Sequence, residues 1–107
     1  MAKSIITALR DELQYPIKMG FLENTLIKRE LDGNLAFTAD VANDNAYRGA
    51  VADCYIALIM SPNISEGDIS FSQTEKREML KIANSIYLSI GEEPADIADK
   101  PIVYIEN

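Results

Sequence analysis

Tyr47-Arg48-Gly49-Ala50-Val51-Ala52-Asp53-Cys54-Tyr55-Ile56-Ala57-Leu58-Ile59-Met60 is the stretch that decides the fold. Its apolar side chains at Tyr47, Ala50, Val51, Cys54, Tyr55, Leu58 and Ile59 follow the spacing that gathers them on one side of an α-helix. No other stretch is as apolar, so this helix belongs at the centre of the domain. Thr38 or Asp40 is placed to cap it, Asp40 and Asp44 lie near its positive end, and Ser61-Pro62 closes it. Gly49 stands inside the helix at a cost of about 1 kcal/mol relative to alanine, which points to the close approach of another helix, from the same subunit or a neighbour.

On the N-terminal side, Ser4 caps a helix to about Gln14 with Ile5, Ile6, Leu9 and Leu13 in one stripe, and Tyr15-Pro16 ends it. A second helix is expected from near Phe21 to Leu31, with Leu22, Leu26, Ile27 and Leu31 inward and Glu23, Lys28 and Glu30 outward. Asp32-Gly33-Asn34 is its stop, since these residues tolerate positive φ. Leu35-Ala36-Phe37-Thr38 reads as extended or loop.

On the C-terminal side, Glu66-Gly67-Asp68 forms a turn and Ile69-Ser70-Phe71-Ser72 alternates like a very short strand. Ser72-Gln73-Thr74-Glu75 is a capping box, the serine bonding the Glu75 amide while the glutamate reaches back to the Ser72 amide. The helix it starts carries Met79, Ile82, Ala83, Ile86, Tyr87 and Ile90 as its buried stripe, and Gly91 supplies the left-handed stop.

The whole reads as an all-α, mainly helical domain of four helices over residues 1–91, with a short β-like segment near 69–71. An acidic, extended tail over 92–107 ends in the β-prone run Ile102-Val103-Tyr104-Ile105. That run either pairs with Ile69 to Phe71 of its own subunit or adds a strand to a neighbour.

A chain of 107 residues with 48% hydrophobic content is the size of one domain and can bury a modest core without disulfides. The lone cysteine, Cys54, has no partner for a bridge, and charges at Arg10 and Asp11 interrupt any signal-like run, so a reducing, intracellular compartment is expected. No stretch approaches the roughly 20 apolar residues of a membrane span. The net charge of −7 and the scattered basic residues argue against specific nucleic-acid binding.

The chain contains no histidine, which removes Ser-His and Cys-His nucleophiles and imidazole metal sites. Cys54 on the apolar stripe reads as a buried, unreactive thiol. Asp40 with Asp44 at i, i+4 could face a hard cation, but acidic residues in a first turn already serve the helix dipole. Glu92 and Glu93 read as solvated charge in the tail. The expectation is therefore a protein that is not an enzyme, with no catalytic residue, metal ligand or cofactor to assign.

Taken in order, several segments carry a resemblance: Leu13-Gln14-Tyr15-Pro16, Leu26-Ile27-Lys28-Arg29-Glu30-Leu31-Asp32, Ala52-Asp53, Ser61-Pro62-Asn63-Ile64-Ser65-Glu66-Gly67-Asp68-Ile69-Ser70-Phe71-Ser72, and Ile82-Ala83-Asn84-Ser85-Ile86-Tyr87. Over residues 5 to 91 the chain resembles the helical head-tail connector (adaptor, head-completion) family of phages and prophages. That resemblance implies a virion assembly protein, a homo-oligomer or ring docked beneath the portal, with itself and portal or tail proteins as partners. An acidic channel lining would repel DNA and let it slide. The candidate contact elements are the loop residues Ile64, Glu66, Asp68, Ile69 and Phe71 and the tail residues Ile102, Val103, Tyr104 and Ile105. The alternative is a small helical regulatory or partner-binding protein of a prophage or mobile element.

Overall fold

The structure, a computed structural model, describes residues 3–13, 15–67 and 70–96. Five α-helices follow one another: α1 (Ile5–Leu13), α2 (Met19–Lys28), α3 (Ala39–Ala42), α4 (Asn45–Met60) and α5 (Gln73–Ser89), with a 3-10 turn at Pro62–Ile64 before α5. The all-α expectation holds. The described residues contain no sheet, only isolated antiparallel bridges at Ser4–Ala36 and Ile17–Ser65.

The helix expected to run unbroken from Thr38 or Asp40 to Met60 is two helices. Thr38 caps the single turn of α3 by accepting from the Val41 amide, and Asp44 caps α4 by accepting from the Ala46 amide at 3.2 Å. The backbone of Asp44 is extended, so its carboxylate acts as an N-cap rather than as a first-turn charge. Asp40 and Asp44 therefore open different helices and do not share a helix face.

α4 is central as expected, packing against each of the other four helices, most extensively α5. Ala50, Ala52, Cys54 and Leu58 lose all contact with water, and Tyr47 is buried with its hydroxyl donating to Glu12 Oε1 at 2.7 Å. Each large aliphatic side chain so buried contributes about 1.5–3 kcal/mol. The capping box at Ser72–Glu75 is present in both directions, and Ser4 accepts from the Thr7 amide at the start of α1.

Two helix ends use the same device. At the end of α5, Gly91 takes φ 82°, Glu92 N–H donates to Tyr87 O and Gly91 N–H to Leu88 O. At the end of α2, Leu31 N–H donates to Leu26 O and Glu30 N–H to Ile27 O, with Glu30 at φ 62°. Both are Schellman motifs. The left-handed residue that stops α2 is thus Glu30, not a member of the expected Asp32-Gly33-Asn34 stop. With Leu22, Thr25 and Leu26 facing the core, Ile27 is rotated about 100° away and lies in solvent, contrary to the inward position expected for it. Ile82 on α5 is likewise exposed, while Met79, Ala83 and Tyr87 are buried.

Candidate functional site

α2, α4 and the segment after α5 converge on one polar cluster. Arg29, the residue at which α2 ends, sends Nε to Asp53 Oδ2 at 2.8 Å and Nη2 to Asp53 Oδ1 at 3.0 Å. Its other edge reaches Glu92, Nη1 to Oε2 at 2.6 Å and Nη2 to Oε1 at 3.0 Å. Tyr87 of α5 completes the group by donating its hydroxyl to Asp53 Oδ1 at 2.6 Å. The planar fork of a guanidinium matches two carboxylates at once, which a lysine could not do.

Gly49 explains how the guanidinium gets there. A Cβ at this position would lie in hard contact with the guanidinium carbon and both terminal nitrogens of Arg29. The close approach expected at Gly49 is therefore real, but a charged side chain makes it rather than a second helix backbone. Gly49 and Asp53 stand one turn apart on α4, forming a notch and its anchor.

The electrostatics of this cluster favour the charged pairs and a neutral phenol. Hydrogen bonds donated to Asp53 and Glu92 hold Arg29 firmly protonated, and the bond from Arg29 keeps the Glu92 carboxyl below its ordinary value. Burial, followed by the hydrogen bond to Asp53, pushes the Tyr87 phenol up. Nearby, burial pushes the Cys54 thiol up to about 12, against a weaker opposing effect from its hydrogen bond with Thr25. Glu92, expected to be solvated tail charge, is instead an ion-pair partner. Ala95 follows it in exchanging two hydrogen bonds with the Asn84 side chain.

Among the expected contact residues, Ile64 and Phe71 turn toward the core and are half-buried, Phe71 meeting Tyr15 edge-on at 5.3 Å between ring centroids. The loop is stitched to the α1–α2 connection, with Lys18 N–H donating to Ile64 O and Glu66 N–H to Pro16 O. The Glu66 side chain faces solvent. Asp68, Ile69, Ile102, Val103, Tyr104 and Ile105 lie outside the described residues.

Among the described residues, two open clefts stand out. One, of about 380 Å³, is lined by the apolar side chains of Ile6, Ile27 and Leu31 and the acidic ones of Glu23, Glu30 and Asp32. The other, of about 320 Å³, runs between α2, α4 and α5 past Phe21, Ile56, Met60 and Tyr87. Large apolar side chains stand in water near both: Ile27 is 62% exposed and Met60 66%. The sequence reading missed the Arg29 cluster. Its signal was the pairing of an interior glycine with an acidic residue one turn later on the most apolar helix.

No described helix is long and apolar enough to cross a membrane, and the described residues hold no group of three or more acidic or thiol ligands arranged for a metal. Fold and cluster together define a small all-helical domain whose helix ends are tied by an internal ion-pair network. Residues 3–106 match the group described as "Family of unknown function (DUF6706)", and the chain belongs to that family. Neither the curated proteins nor the solved structures hold a match to it.

Proposed function

We propose that the protein is a non-enzymatic virion assembly protein of a phage or prophage, a head-tail connector or adaptor that acts through contacts with its own copies and with portal or tail proteins. One observation carries this reading: the open groove lined by Ile6, Ile27 and Leu31, in which Ile27 stands largely in water among the acidic side chains Glu23, Glu30 and Asp32. Such a mixed apolar and charged groove suits a protein partner.

Two further features support it. Among the described residues, the Arg29–Asp53–Glu92 network with Tyr87 is engaged internally, joining the ends of α2 and α5 to the middle of α4. The net charge of −7 suits a surface beside DNA that must not hold it. The resemblance over residues 5 to 91 supplies the connector role, and with it residence in the host cytoplasm until the protein is built into the particle.

Gene neighbourhood and co-purification test it. Portal and capsid genes beside this one, and a stable complex when the chain is co-expressed with the portal or tail protein of that locus, are the expected results. A gene remote from any virion gene, together with no complex, would overturn the reading.

A further inference from the structure

The acidic groove has its complement on the same molecule. On α5, Arg77, Lys81 and Leu88 fall at i, i+4 and i+11, a stripe about 40° wide and about 16 Å long. All three are exposed, and Leu88 is 63% exposed. The stripe lies on the side of α5 opposite Met79, Ala83 and Tyr87, the residues that pack inward. The face therefore points away from the molecule's own core.

Neither face is satisfied within the subunit. Among the described residues, Glu23, Glu30, Arg77 and Lys81 make no ion pair. The groove offers three aliphatic and three acidic side chains, and the stripe offers an apolar end and two positive charges. We infer that the α5 face of one copy, Arg77–Lys81–Leu88, docks into the Ile6–Ile27–Leu31 groove of a second copy, with its cations on Glu23, Glu30 and Asp32. The inference rests on the assembly reading and names the surfaces of its self-contact.

Complementarity between two different faces of one chain has a physical consequence. A molecule with net charge −7 repels its copies at long range, so association needs a local match of opposite charge. Opposed charges set register and partner choice, while the apolar side chains supply burial. Salt should weaken the contact through its exposed charges.

Sedimentation velocity of the full-length chain at low salt tests this, with circular dichroism confirming that each variant is folded. Wild type should self-associate, and two variants, Glu23→Lys with Glu30→Lys and Arg77→Glu with Lys81→Glu, should each weaken association at least about tenfold. Mixing the two variants, or joining all four substitutions in one chain, should restore it. Unchanged association in the charge-reversed variants, or no rescue by the swap, would overturn the inference and leave the assembly reading standing. A monomeric wild type would also overturn it, and would take the assembly reading down as well if portal and tail proteins failed to bind.

Discussion

The guanidinium of Arg29 occupies the space that a Cβ on Gly49 would fill. A glycine that weakens a central helix thereby admits the charge that ties the end of α2 to Asp53 and Glu92. Gly49→Ala should therefore behave against propensity. It gains about 1 kcal/mol for the helix, expels Arg29 from a half-buried network, and should lower stability by about 1–2 kcal/mol net. On an Arg29→Ala background the same change should be neutral or stabilising, a coupling that a denaturation double-mutant cycle reads directly. Equal effects on both backgrounds would sink this account.

The paired Schellman motifs make opposite predictions at their left-handed positions. Glu30 at φ 62° carries a Cβ where glycine would be unstrained, so Glu30→Gly should raise stability by about 1 kcal/mol. Gly91 at φ 82° has the preferred residue, and Gly91→Ala should lower it by about 1 kcal/mol. Urea midpoints for the two variants check the signs, and a loss at Glu30→Gly would contradict the geometry.

Acid should release the Glu92 latch. Its carboxyl is held below the ordinary 4.5, first by the hydrogen bond from Arg29. Because the folded value is the lower one, the stabilisation is complete above the unfolded value and is lost as pH falls through the folded one. The stability difference between wild type and Glu92→Gln should therefore stay level above about pH 5 and shrink below about pH 4.5. A difference that persists undiminished to pH 3 would mean the pair does not carry it.

Cys54 should be inert in the native protein. With no water contact and a thiol pushed up to about 12, it presents almost no thiolate at pH 8. Thiol reagents should label it only at the rate of opening, and at one thiol per chain in denaturant. Rapid stoichiometric labelling of the folded protein would place Cys54 at an accessible site.

Much of this fold was legible because its punctuation is local. The Ser72–Glu75 box, the Ser4 cap and Gly91 each act through their own backbone neighbours, and each sits where the sequence puts it. The break at Asn43–Asp44 escaped because an aspartate serves equally as a first-turn charge and as an N-cap, and only its backbone conformation separates the two. Ile27 was misplaced because the buried face of α2 is centred on Leu22, Thr25 and Leu26, where Thr25 takes the inward place with its hydroxyl bonded to Phe21 O, and this turns Ile27 outward. The Arg29 cluster joins residues 24 and 63 positions apart, beyond any helical spacing, so only Gly49 hinted at it.

The central claim, that the protein works by assembling with copies of itself and with virion partners, meets its most direct test in light-scattering mass after size exclusion, alone and with the portal protein of its own locus. The account predicts masses above the 11.9 kDa of one chain that rise with concentration, and a discrete larger complex with the portal protein. A single 11.9 kDa species at every concentration, unchanged by the portal protein, would contradict it.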